Sequence, residues 1–215
     1  MFPTVILDDF FPDPDKVVDF ASQQKFHPTP DGTWPGSRTD PLHVLNHNLY
    51  HFVAEKITGL FFDRFGEQYF MDMRFQKITP FCEDQHSIRN RGWIHRDKGV
   101  HFGGIIFLNK HPDEDTGTSL YKEKNGYSFD SPFYNVAKQK HYLNTDVSDE
   151  EYNKNFEDVN SQYTETVRVK NVYNRMLLFN NKEWHGVQTF GKTQDRLTIS
   201  FFCLGTGGVI PPLYR

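Results

Sequence analysis

The sequence is short of the features that would place it in several large protein classes. It has 2 cysteines, Cys82 and Cys203, in 215 residues. That is too few for a disulfide framework, so a cross-linked secreted scaffold is excluded and a reducing, intracellular setting is expected. No apolar run approaches the ~20 residues needed to span a bilayer. The segment Met1 to Asp9 has neither the basic flank nor the long apolar stretch of a signal peptide. No charge sign dominates either: the formal net charge of -4 gives no general attraction to nucleic acid or anionic membrane. There is no internal repeat and no low-complexity tract. A soluble, cytoplasmic protein is expected, without membrane or nucleic-acid partners.

Aromatic side chains are plentiful, at 16% of residues with 21 Phe. Aromatic and β-branched segments favour strands, so the core should be β-rich. The chain is long enough to bury a sizeable core as one domain, 1–215. Val5-Ile6-Leu7 reads as a short strand, and Asp13-Pro14 as the start of a helix. Residues 27–41 are rich in Pro, Gly and Asp and read as a loop. Leu49, Phe52, Val53, Ile57 and Leu60 recur at helical spacing, predicting a helix over about 48–65 that Gly66 would end. Residues 1–68 thus form a helical N-terminal support.

From about Tyr69 the period becomes that of strands. Met71, Met73 and Phe75 alternate with polar residues, and Gly103 to Leu108 is a continuous apolar run. Further strands are expected at Thr118–Tyr121, Thr166–Val169, Met176–Phe179, Val187–Phe190 and Leu197–Cys203, with a terminal tail from Gly205 to Pro212. The polar segment 122–164 interrupts this series as an insertion. Ser148-Asp149-Glu150-Glu151 is a capping box, predicting a helix over about 149–161. The whole reads as mainly β with flanking α-helices, a jelly-roll core over 69–204.

Three residues in this core carry potential metal chemistry: His95, Asp97 and His185. Residues i and i+2 of an extended chain share a face, so His95 and Asp97 can reach one ion. Two imidazoles and a carboxylate can hold a ferrous ion and leave one face of it open. A second pair of equal spacing, His111 and Asp113, lies in a charged turn without the rigid mount a ligand needs. His185 alone would also suit a core histidine satisfied by a hydrogen bond. Arg196 follows it by eleven residues amid Leu197, Ile199, Phe201 and Phe202. An arginine in such company needs an anionic partner, either a structural acid or a bound carboxylate held bidentately. Thr198 shares its face and could add a hydroxyl. Trp93, His101 and Trp184 lie close to the ligands in sequence and suit either pocket lining or plain packing. Arg89 and Arg91 suit either an acidic or peptide substrate or a solvated surface.

Together these segments resemble the iron(II)- and 2-oxoglutarate-dependent dioxygenases, most closely their prolyl 4-hydroxylase-like branch. The resemblance rests on His95-Arg96-Asp97, Ile105 to Asn109, Thr116-Gly117, Arg175 to Phe179, Trp184-His185-Gly186-Val187 and Asp195 to Ser200, and covers about residues 70–204. It implies a double-stranded β-helix, with His95, Asp97 and His185 as ligands of Fe(II). Arg196 and Thr198 would bind the far carboxylate of 2-oxoglutarate. Dioxygen and 2-oxoglutarate would be consumed, with succinate and carbon dioxide released, as a peptidyl or free amino acid, proline among the candidates, is hydroxylated. Asp97 stands where a Gly or Ala would admit halide, which argues against halogenation. Phe107 replaces a tyrosine that many relatives use on the far carboxylate, so another hydroxyl must substitute. Phe202 stands where nucleic-acid demethylases of the superfamily usually carry a second arginine, which makes demethylation the weaker alternative. Outside enzymology, the alternative is a non-catalytic, cupin-like or virion-associated jelly-roll binding module.

Overall fold

Asp13 opens the first helix, α1, as its sequence requires. In the computed structural model, which describes residues 4–60, 70–124, 132–143 and 148–205, its side chain accepts the Lys16 N–H at 3.3 Å. Pro14 sits in the first turn, where no N–H is needed. In chain order the elements are β1 (Val5–Leu7), α1 (Pro14–Ser22), β2 (His27–Pro28), β3 (Ser37–Arg38), α2 (Leu42–Leu45) and α3 (His47–Thr58). There follow β4 (Phe70–Ile78), β5 (Phe102–Phe107), β6 (Thr118–Glu123), α4 (Pro132–Tyr142) and α5 (Asp149–Asn160). The chain closes with β7 (Tyr163–Val169), β8 (Met176–Asn180), β9 (Trp184–Val187) and β10 (Arg196–Gly205).

The strands form two antiparallel sheets, one of seven strands in the order β1-β8-β5-β10-β4-β3-β2 and one of three in the order β7-β6-β9. This is a jelly-roll core with flanking helices, open rather than closed at its edges. Strand β10 shows how the two faces of the large sheet divide. Ile199, Phe201 and Cys203 join β4's Met71, Met73 and Phe75 in a buried cluster with Val17 and Ala21 of α1 and Val53, Ala54 and Ile57 of α3. The alternate residues Arg196, Thr198 and Ser200 are buried polar groups on the opposite face. Between the sheets, Phe107, Leu177 and Phe179 pack on Leu120 and Val169 of the small sheet.

Several elements depart from the sequence expectations. The helix expected to run to Phe65 ends at Thr58, where the Gly59 N–H closes the last turn on Glu55 O at 2.8 Å. Gly66 and the stretch after Gly205 lie outside the described residues. Strand β9 begins before Val187 and ends there, because Trp184–Val187 pairs with Thr118–Tyr121. Thr189 and Phe190 instead bond outward, through Thr189 Oγ1 to Gln85 O and the Phe190 N–H to Asn90 O, each at 2.7 Å. The 27–41 loop contains the β2–β3 pair, which extends the large sheet through β4. Within the insertion, α5 starts at the Ser148 cap, whose hydroxyl accepts the Glu151 N–H at 3.2 Å. Helix α4 went unpredicted because its start lacks the Ser-x-x-Glu capping box that marks α5. Tyr142, Tyr152, Phe156 and Val159 of these helices pack against Trp93, Ile94, Trp184 and Phe190. The insertion therefore braces the segment leading into His95. Among the described residues, no helix is long and apolar enough to cross a membrane.

Candidate metal centre

His95 does not sit on a regular strand. It makes an isolated antiparallel bridge to His185, with both reciprocal N–H···O bonds at 2.9 Å. That bridge brings two histidines far apart in sequence side by side, their ring centroids 4.4 Å apart. His185 is further fixed by its register opposite Leu120. Asp97 follows two residues after His95 and completes the group. Its Oδ1 lies 3.7 Å from His95 Nε2 and its Oδ2 3.5 Å from His185 Nε2. One ligand atom from each of the three lies within 4.8 Å of the others, a grouping that could hold a metal ion. Gly103 leaves room for the carboxylate: a Cβ there would lie 3.1 Å from Asp97 Oδ2.

Each imidazole is oriented from behind. His95 Nδ1 is 2.8 Å from Trp93 O and His185 Nδ1 is 3.1 Å from Glu183 O. A carbonyl only accepts, so each Nδ1 carries the proton and each Nε2 lone pair faces Asp97. Burial holds the His95 pKa well below its ordinary value, with the charge of Lys138 and the neighbouring His185 lowering it further. A neutral, Nδ1-protonated imidazole is the form a metal takes.

A cavity of about 750 Å³ joins this group to Arg196. Arg196 is 4% exposed, and among the described residues no acid pairs with it. Its Nε donates to Thr116 O at 2.8 Å and its Nη2 to Thr118 Oγ1 at 3.4 Å, and its guanidinium lies 5.4 Å from the Phe107 ring centroid. Burial pulls its pKa down to about 10, which leaves it protonated at neutral pH. Thr198 is fully buried opposite Phe107, and its hydroxyl has no hydrogen-bond partner. A buried guanidinium with neutral partners fits a carboxylate ligand; Thr198 follows two residues on along the same strand face, but Thr118, not Thr198, lines the cavity with Arg196.

The structure separates the remaining candidates. Trp93 and Trp184 line the cavity, although both also pack on the insertion. His101 and Arg91 are exposed and lie outside the cavity wall; Arg91 stacks toward Phe156 at 5.5 Å. The rejected pair His111 and Asp113 is structural: Asp113 accepts the Lys192 and Thr193 N–H groups, each at 2.8 Å, and His111 O accepts from Gln194. Among the wall residues that the sequence did not single out are Thr118, Arg38 and Lys138. Thr118 could have been found from its alternation on β6. Arg38 and Lys138 lie in segments that read as loop and insertion and carried no such signal.

The fold has solved counterparts. This chain superposes on an oxidoreductase of the 2OG-Fe(II) oxygenase family from Burkholderia pseudomallei, at 14% identity, TM-score 0.53, with 95% of this chain and 85% of that chain covered. It also matches HygX from Streptomyces hygroscopicus, a structure with nickel and 2-oxoglutarate bound, at 12% identity, TM-score 0.58, covering 97% and 84%. A prolyl-4-hydroxylase from Pseudomonas putida matches at 11% identity, TM-score 0.51, covering 93% and 91%. At these identities the likeness establishes the fold they share. By sequence, the chain belongs to DUF6445, a family of unknown function, whose model matches residues 2–202. No curated protein matches it.

Proposed function

We propose that the protein is an Fe(II)- and 2-oxoglutarate-dependent dioxygenase that hydroxylates a peptidyl or free amino acid, with proline one candidate. The observation that carries this reading is the shared cavity. Its wall contains two histidines and a carboxylate grouped as metal ligands, together with a buried arginine that pairs with no acid among the described residues. Two His and one carboxylate leave coordination positions open, which suits non-haem iron. The shared fold with 2OG-Fe(II) oxygenases supports the class, and the prolyl-4-hydroxylase among them supports an amino-acid substrate.

In this reading His95, Asp97 and His185 would hold the iron. Trp93 O and Glu183 O fix both imidazoles in the ligating tautomer, so no proton must leave Nε2 when metal enters. Arg196 would take the far carboxylate of 2-oxoglutarate. The Thr198 hydroxyl, and that of Thr118, would supply the hydrogen bond that Phe107 cannot. The buried surroundings of Arg196 strengthen that pairing by excluding water. Bound iron with 2-oxoglutarate supplies the chemistry: oxidative decarboxylation to succinate and carbon dioxide, coupled to insertion of oxygen from O2 into a C–H bond.

The direct test is succinate formation from 2-oxoglutarate by purified protein, with and without Fe(II), alongside mass spectrometry of an amino-acid and peptide panel. Succinate that requires iron, and a product gaining one oxygen, are expected. An iron-replete protein that forms no succinate with any member of the panel would contradict the reading.

A further inference from the structure

Besides Arg196 and the exposed Lys98 and Lys182, the cavity wall carries the cations Arg38, Arg96 and Lys138. Arg38 comes from β3 and Lys138 from α4. The segments that carry them touch: a Cβ on Gly32, whose φ is +70°, would collide with the backbone of Gln139. Arg38 is laid out rather than paired. Its guanidinium lies 4.4 Å from the Trp34 ring and 5.5 Å from that of Phe202, its Nη2 donates to Gln76 Oε1 at 3.2 Å, and its buried Nε has no partner. Lys138 makes a cation–π contact with Tyr142 at 5.7 Å, and among the described residues no carboxylate lies within ion-pair distance of it.

The acids of the cavity wall are already engaged. Asp72 takes the Arg74 Nε at 2.9 Å and 3.2 Å, and Asp97 faces the two histidines. Arg96, between His95 and Asp97 in sequence, has Glu123 at 3.6 Å. Burial brings Arg38 to about 10 and Lys138 to about 8, opposed at Arg38 by the charge of Asp72 and at both by that of Asp97. A divalent metal on Asp97 would cancel that attraction and leave a net positive wall. Desolvated cations whose neighbouring acids are engaged elsewhere are costly unless a ligand brings a further anion.

We infer that Arg38 and Lys138 form a subsite for an anionic group of the substrate, a carboxylate or a phosphate, held in the same cavity while the rest of the molecule reaches toward His95 and His185. The inference deepens the proposed function and rests on it for the word substrate. It favours a small acid, such as a free amino acid bearing its own carboxylate, over an internal residue of a peptide chain. Arg38 supplies planar donors and Lys138 a mobile point charge, a pairing suited to one anionic group.

The test is a fluorescence titration, since Trp34 lies under Arg38. Inorganic phosphate and acetate are added at constant ionic strength to metal-free protein and to protein loaded with nickel(II) and 2-oxoglutarate. Saturable binding is expected, tighter for whichever of the two matches the substrate's anion. The half-saturation point should shift at least about tenfold in Arg38→Gln and in Lys138→Gln, with partial recovery in Lys138→Arg. Folding is checked by thermal unfolding. The dependence of the anaerobic iron–2-oxoglutarate absorption on 2-oxoglutarate should stay as in wild type in these variants. Absence of saturation with both anions would overturn the inference. So would variants that titrate like wild type, or an Arg38→Gln protein that loses 2-oxoglutarate as Arg196→Gln does. If wild type binds anions as described but gives no iron–2-oxoglutarate absorption, the cationic subsite stands and the oxygenase reading falls.

Discussion

Arg196 carries a charge where burial disfavours one, and its protein partners, the Thr116 carbonyl and the Thr118 hydroxyl, are both neutral. The residue-scale account is that a ligand carboxylate completes it, with Thr198 in place of a tyrosine. Thr198→Val keeps the shape and removes the hydroxyl. It should raise the Kd for 2-oxoglutarate by about five- to tenfold, the worth of one hydrogen bond of about 1 kcal/mol. An unchanged Kd would hand the role to Thr118. Arg196→Lys keeps the charge but loses the fork, and should weaken 2-oxoglutarate by at least about tenfold. Both are read by titrating 2-oxoglutarate against iron-loaded protein without oxygen. At this scale the sequence was informative where chemistry and spacing coincide, as in His95-x-Asp97 and in Arg196 among apolar neighbours. It was silent on Arg38, because a two-residue strand in a Pro/Gly-rich loop has no periodicity to read.

The elements that matter most are those that bring distant residues together. The His95–His185 bridge sets the two imidazoles side by side, and the insertion holds the segment before it. His141 lies in that insertion, 1% exposed, stacked at 4.3 Å on Tyr152 and 4.6 Å on Phe81, with its Nε2 unpartnered. Burial, aided by the charge of Arg89, lowers its pKa to about 3. The folded value lies below the unfolded one, so the unfolded chain binds a proton first as pH falls. Stability is therefore lost below about pH 6.5, by about 2 kcal/mol at pH 5 from this group. His141→Phe keeps the ring stack and should flatten the dependence of Tm on pH between 7 and 5; an equally steep slope would dismiss His141 as its source. In α5, Ser148→Ala should cost about 1 kcal/mol, seen as faster hydrogen exchange over 149–160 with little change in β10. The capping box made α5 legible from sequence. Helix α4 lacked a comparable signal, and β9 was placed too late because its start is set by pairing with β6 and not by local pattern.

For the molecule as a whole, the two-sheet architecture follows from alternation. Phe201 and Cys203 turn outward to the helices while Arg196, Thr198 and Ser200 turn inward. That alternation was readable along each strand. Strand order was not, because β5 pairs with β8 and β10 across long stretches of intervening chain. Nor was the part of the cavity wall supplied by the 27–41 segment and α4, which meet at Gly32 and Gln139. The central claim is that His95, Asp97 and His185 hold iron(II) while Arg196 anchors a chelating 2-oxo acid in the same cavity. Its most direct test is the visible absorption of the protein on anaerobic addition of Fe(II) and then 2-oxoglutarate. A broad charge-transfer band should appear with wild type, require both additions, and vanish in Asp97→Ala. No band with folded wild-type protein, or a band that survives undiminished in Asp97→Ala, would contradict the account.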